Sequence, residues 1–235
     1  MGTKIRRMIW ILPALLLCVF RANAGGQDNQ GNPIPHFLFP KFEEGVVVMK
    51  DGSSFNTLIN YNMVDQKMIT EVEGEYRYSK NPGLIQSITI QNRVFVPMGI
   101  AFYEILATGD VNLFLQHKAI LSQKGNEVGY GVTNRTTGPT KMQRYELTNV
   151  CYQYGEVVNI DLPQNVDIVP ANMYWVSTAD MLEEFSSEKQ FMKLFPNYHD
   201  DLKNFFKTEK ISLKDRDDVV RLGNYCNMIM KQAAR

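Results

Sequence analysis

Ser177 divides this sequence into two hydrophobic periods, and that division constrains the fold more than any other feature. Before it, apolar residues run in short β-branched and aromatic stretches broken by turn residues. Val46, Val47 and Val48 precede Lys50-Asp51-Gly52-Ser53, and Asp-Gly closes hairpins because it tolerates positive φ. Phe55–Tyr61 supplies the return strand. Lys67–Val72 and Glu75–Ser79 flank Glu73-Gly74, a second turn. Ile85, Ile88 and Ile90 lead through Gln91-Asn92-Arg93 into Val94-Phe95-Val96, a third hairpin. A fourth joins Phe102–Ala107 to Val111–Leu121 through Thr108-Gly109-Asp110. Punctuation this regular predicts an antiparallel meander curled into a sandwich or small barrel. Arg144–Tyr154 and Glu156–Leu162 extend the β-region, and Met173–Val176 is its last strand.

After Ser177 the period becomes helical. Ser177…Asp180, Ser187…Gln190, Asn197…Asp200 and Ser212…Asp215 each set a capping residue three before a polar acceptor; only Ser187…Gln190 is a strict capping box. Tyr198, Leu202, Phe205 and Phe206 fall on one helix face, as do Val219, Leu222, Cys226 and Ile229. Asp215, Asp217 and Asp218 suit the dipole of a helix start. Gly223 costs about 1 kcal/mol relative to Ala inside a helix, which points to a close backbone contact there. The predicted class is α+β: an antiparallel β meander, small barrel or sandwich, followed by a C-terminal bundle of short helices packed on it.

The ends and the interior of the β-region carry further signals. Lys4, Arg6 and Arg7, the apolar run Met8–Phe20 and Ala22-Asn23-Ala24 read as a signal peptide cleaved before Gly25. The run is too short to span a bilayer and holds Pro13. Lipidation at Cys18 is disfavoured because Leu17, not a small residue, precedes it. The layout expected is a signal peptide over 1–24, an extended Pro/Gly-rich leader over 25–43, a β-rich domain over 44–176 and helices over 177–235. Residues 122–143 hold Gly125, Gly129, Gly131, Gly138 and Pro139. A stretch this long exceeds an ordinary hairpin connection and reads as a partner-contacting loop.

Composition narrows the function classes. Lys and Arg number 25, as do Asp and Glu. Four of the basic residues lie in 1–24 with no acid, which leaves residues 25–235 net acidic and argues against nucleic-acid binding. A 44% hydrophobic content excludes a wholly disordered chain. Cys151 and Cys226 remain after cleavage; a disulfide and a pair of buried thiols are both compatible with an exported chain.

Phe191-x-x-Leu194-Phe195-Pro196, with Asp218-Val219-Val220-Arg221-Leu222-x-x-Tyr225 after it, resembles the C-terminal part of a group of uncharacterised exported cell-envelope proteins of Gram-negative bacteria. Gly45-Val46-Val47-x-x-Lys50-Asp51-Gly52 is similar to the opening of their β-region. The resemblance implies an envelope address, periplasmic or secreted, and a β-then-α layout. It implies no activity, and Cys151 and Cys226 are not part of its pattern.

Catalytic motifs are missing. The sequence has no G-x-S-x-G elbow, no phosphate loop and no H-E-x-x-H helix. Gly129-Tyr130-Gly131 starts a dinucleotide fingerprint, but Asn134 stands in place of its third glycine. His36, His117 and His199 fall on three separate elements, unlike a zinc site. Glu71, Glu73 and Glu75 would share a face only in an unbroken strand, and Gly74 interrupts it. Tyr76 and Tyr78 read as cover for a sheet face. No catalytic, cofactor-binding or metal-ligating residue is therefore assigned. The expected function is a non-catalytic envelope module that binds an envelope protein or a cell-surface polymer, with no transmembrane segment after signal removal. The alternative is a hydrolase whose carboxylates, from Glu71, Glu73 or Asp110, meet only in three dimensions.

Overall fold

Local turn chemistry closes the first hairpins where the sequence places them. The computed structural model describes residues 34–79, 81–123, 127–128, 132–133, 150–152, 155–157, 160–162, 165–179 and 181–233. The predicted signal segment 1–24 and most of the Gly-rich stretch 122–143 lie outside the described residues. Gly52 at φ 87° turns β1 (Glu43–Met49) into β2 (Ser54–Asn62), and Asp51 Oδ1 accepts from the Ser53 amide at 2.9 Å. Glu73 and Gly74, both at positive φ, join β3 (Lys67–Val72) to β4 (Glu75–Tyr78). Gln91 at φ 54° joins β5 (Ile85–Ile90) to β6 (Arg93–Met98). Then follow β7 (Ala101–Ala107), β8 (Asn112–Gln116) and β9 (Ala119–Gln123).

The later strands are short: β10 (Glu127–Val128), β11 (Val132–Thr133), β12 (Val150–Tyr152), β13 (Gly155–Val157), β14 (Val166–Pro170), β15 (Met173–Ser177) and β16 (Leu182–Phe185). Three helices end the chain: α1 (Glu188–Leu194), α2 (His199–Thr208) and α3 (Arg216–Ala233). The class is α+β.

Among the described residues, twelve strands form one antiparallel sheet in the order β12-β13-β4-β3-β2-β1-β5-β6-β7-β8-β15-β16. Strand β5 therefore lies beside β1, with Val47 opposite Ile88, and not beside β4. Crossing from β4 to β5 spans four strand spacings, about 19 Å. The link from Tyr78 to Ile85 reaches about 23 Å when extended, so it can just bridge them. The sheet also coils onto itself. Phe102 N–H donates to Gln66 O (3.0 Å) and Ala119 N–H to Met63 O (2.9 Å), bringing the β2–β3 turn against β7 and β9. The Tyr61 hydroxyl bonds the carbonyls of Phe102 (2.8 Å) and His117 (3.1 Å) across the same interior.

Three apolar cores follow from this coil. Val47, Ile59, Tyr61, Ile88, Phe95 and Phe102 fill its interior. Leu113, Leu115, Tyr174 and Val176 lie on the same face farther along the sheet, at alternating positions, and meet Phe191, Leu202, Val219 and Leu222 of the helices. Phe37, Phe42, Ile69, Tyr78 and Ile160 make a third. The described part of the leader thus carries buried aromatic side chains despite its linker-like composition.

The capping pattern misplaces some boundaries. Ser177…Asp180 opens no helix: Leu182–Phe185 is a strand, because Phe185 reaches the core only as the cross-strand partner of Tyr174, ring on ring at 5.6 Å. Ser187 does cap α1, accepting from Gln190 N–H (3.3 Å), while Gln190 Oε1 reaches back to Ser186 N–H (2.8 Å). Asp215, not Ser212, caps α3 by accepting from Asp217 N–H at 2.8 Å. Cys226 is a free thiol buried in the helical core.

Gly223 seats α3 on the sheet. A Cβ there would lie 2.4 Å from Ala107 Cβ and 2.9 Å from Leu113 Cδ1, both on strands. Gly223→Ala gains about 1 kcal/mol of helix propensity but forces an overpacked contact costing about 1–3 kcal/mol. Thermal denaturation followed by circular dichroism should show a lower midpoint in one cooperative transition; an unchanged or raised midpoint would contradict this packing.

Candidate functional site

Strand β7 alternates between Phe102 and Leu106, with Phe102, Glu104 and Leu106 buried, before its register with β8 shifts between Ile105 and Ala107. A carboxylate thereby enters an apolar interior, where it is stable only with charged or hydrogen-bonded partners. Glu104 is 0% exposed and has three. Arg93 of β6 donates from Nε to Oε1 (2.9 Å) and from Nη2 to Oε2 (2.5 Å). Arg216, the first residue of α3, donates from Nε to the same Oε1 at 2.7 Å. His117, just after β8, sets Nε2 2.7 Å from Oε2 and, as its Nε2–H tautomer, donates to it.

The electrostatics follow from this geometry. Burial alone would raise the Glu104 carboxyl; hydrogen bonds from His117, Arg93 and Arg216, with the Arg93 charge, outweigh it and hold the group at about 2. Burial pushes His117 down, and the Arg93 and Arg216 charges add to this against the pull of Glu104. Every Glu104 lone pair is engaged by a donor from the protein, so the cluster is internally satisfied and serves as a tie between sheet and α3. Arg93 also lies over the rings of Phe39 (5.2 Å) and Phe95 (5.5 Å), joining the leader to the same cluster.

A second feature is open. A cleft of about 730 Å³ lies between the β7–β8 connection, the β15–β16 turn, the α1–α2 link and the end of α3. Its walls include Asp110, Asn112, Phe195, Asn197, Tyr198 and Met230. The α3 residue Asn227 supports one wall from behind: its Nδ2 donates to Val111 O (2.9 Å) and its Oδ1 accepts from Val111 N–H (2.8 Å), fixing the turn that carries Asp110. Gly109 at φ 154° gives that turn room beneath Asn227.

The residues singled out by sequence are dispersed. Glu71 stands opposite Tyr76 across the β3–β4 hairpin, Glu73 sits in the turn, and Glu75 pairs with Arg77 at 2.5 Å. None of the three lines the cleft, whereas Asp110 does. Tyr76 covers the leader by stacking on Phe42 at 5.2 Å. His199 is exposed at the start of α2 beside Asp200. His36 is buried, and His117 joins Glu104. Among the described residues, no three His, Cys, Asp or Glu side chains converge to hold a metal ion. Sequence reasoning missed Glu104, Arg93 and Arg216. The available signal was parity: a glutamate on the same face as Phe102 and Leu106.

No family model, curated protein or solved structure matches the chain.

Glu104→Gln removes the charge that both arginines share. A loss of about 3 kcal/mol is expected, the low end for breaking a buried pair, since Arg216 keeps access to water. Because the folded carboxyl is depressed, its contribution is complete above about 4.5 and is lost as pH falls toward about 2. Urea unfolding should show the wild type and variant converging near pH 2. A gap that persists unchanged at that pH would contradict this.

Proposed function

We propose that the protein is an exported cell-envelope module that binds a partner without transforming it, and that its contact surface is the cleft at the helical end of the sheet. What supports this reading is the composition of the cleft walls. Asp110 is the one carboxyl side chain among them, and no histidine, lysine, arginine or cysteine of the described residues lines the cleft; the rest are amide, hydroxyl, phenol, thioether and hydrocarbon groups. General acid–base chemistry at neutral pH calls for a group activated by a charged or basic neighbour, and the cleft walls hold no such cation or imidazole, while the titratable cluster around Glu104 already spends its donors on itself. A wall of Tyr198 and Met230, backed by the buried Phe195, with Asn112 and Asn197 beside it suits contact through apolar area with a few orienting hydrogen bonds. The export signal, the acidic mature composition and the resemblance to envelope proteins support the address, and an envelope protein or a cell-surface polymer is the partner class.

Two measurements test this. N-terminal sequencing of protein recovered from the native host should begin at Gly25; retention of residues 1–24, or a lipid on Cys18, would overturn the address. Co-sedimentation of the same protein with insoluble envelope material should retain it. A Tyr198→Ala, Asn197→Ala double variant should lose most of that retention with little change in melting midpoint. Equal retention of the variant would move the contact surface elsewhere, and turnover of an envelope substrate would refute the non-catalytic reading.

A further inference from the structure

Residues 34–42 cross the sheet as a strap ahead of β1. Leu38 N–H donates to Tyr61 O (3.0 Å), Met63 N–H to His36 O (2.9 Å), and Phe37 bridges Asn62. Where the strap bends away from β2, the fully buried Asn60 side chain replaces backbone partners. Its Nδ2 donates to the carbonyls of Phe39 and Lys41, both at 2.9 Å, and its Oδ1 accepts from Phe39 N–H at 3.1 Å. The strap itself carries a group that does not fit its surroundings. His36 is 1% exposed, yet neither ring nitrogen makes a hydrogen bond of good geometry; the Ile160 backbone is the one polar group that exerts a hydrogen-bonding pull on the ring, and that pull is minor. Buried polar atoms are seldom left so, and each one costs about 1–3 kcal/mol.

We propose that the strap is an acid-released latch: protonation of His36 lifts residues 34–42 from β2, β3 and β4 while the coiled sheet and the helices stay folded. The neighbouring charges do not rescue the imidazolium. Asp65, in the β2–β3 turn, already accepts from Asn62 Nδ2 (3.1 Å) and from the Tyr78 hydroxyl of β4. Asp161, beyond β13, is solvent-exposed, and its attraction is screened. The Lys67 ammonium of β3 lies 4.7 Å from the Tyr78 ring centre and adds positive charge on that side. Glu71 of β3 is the remaining acid there, and Arg77 and Glu75 of β4 pair with each other. Burial outweighs the pull of Asp65, Asp161 and the Ile160 backbone and pushes His36 down to about 4 from 6.5. The released strap takes up its proton at the ordinary value and the docked strap only at the lower one. The docked state is therefore fully favoured above 6.5 and loses about tenfold per pH unit as pH falls toward about 4.

Native-state hydrogen exchange on protein purified from the native host, corrected for intrinsic rates, tests the latch. Between pH 7 and pH 4.5 the Leu38 and Phe39 amides should lose about 100-fold more protection than Val219 and Leu222 in α3. His117, the other buried imidazole among the described residues, is enclosed by the sheet itself, so its protonation moves the α3 amides and the strap alike. His36→Phe should abolish the extra loss. Strap amides that follow α3 in step, or an extra loss that survives His36→Phe, would overturn the proposal. The His36 ring C–H titration followed by NMR in the wild type gives a test that needs no variant: a midpoint near 4 supports the latch, and one at or above 6.5 refutes it.

Discussion

The Glu104 carboxylate is the constraint on which the rest of the structure depends. Moving an ionised carboxylate out of water costs several kcal/mol even after relaxation, so a fully buried one exists only if the fold supplies donors. Here they come from β6, from the residue after β8 and from the first residue of α3. Each donor sits on a different element, so the carboxylate fixes the positions of three segments distant in sequence. Arg93 extends the reach further, because its guanidinium also covers Phe39 of the strap and Phe95 of the coil interior. The coil-interior core and the helical core are thereby joined through one ionic centre.

Close packing completes what the ion cluster begins. Gly223 lets α3 approach β7 and β8 without a side chain between them, and Asn227 then reaches the β7–β8 turn with three hydrogen bonds to its backbone. Farther from the sheet the helices hold together by aromatic contact, with Phe205 stacked on Tyr225 at 3.9 Å and Phe191 against Phe185 and Phe195. The cleft is a consequence of this arrangement. The α1–α2 link arches from Leu194 to Tyr198 over a turn that Asn227 holds in place, and the space between them stays open.

What the sequence could disclose was what is decided locally. Asp51-Gly52, Glu73-Gly74 and Gln91 adopt positive φ for reasons contained in three or four residues, so their hairpins could be read directly. The glycine inside the last helix announced its close contact because glycine there has no local benefit. Strand order was not legible: nothing within β4 or β5 says that β5 must lie beside β1, which depends on how far the whole sheet coils. Capping signals overreached at Ser177, where the Tyr174–Phe185 pair outweighs helix propensity, and at Ser212, where Asp215 is nearer the first free amides. The leader disclosed only part of its role. Its glycines and prolines spoke for an extended segment, but not for the burial of Phe37, Phe39 and Phe42, which depends on strands far along the chain. Glu104 hid in an aromatic and aliphatic run whose inward parity marks it only in retrospect, because its three donors lie 11, 13 and 112 residues away.

A double-mutant cycle on Glu104→Gln and Arg216→Gln, with stability measured by urea unfolding at pH 7, tests the claim that this carboxylate unites sheet and helices. The two residues are in direct contact, so strong coupling is predicted. The double variant should be scarcely less stable than Glu104→Gln alone, with a coupling free energy above about 1 kcal/mol. Losses that simply add, or a β-region that melts separately from α3 in any of the three variants, would contradict the account.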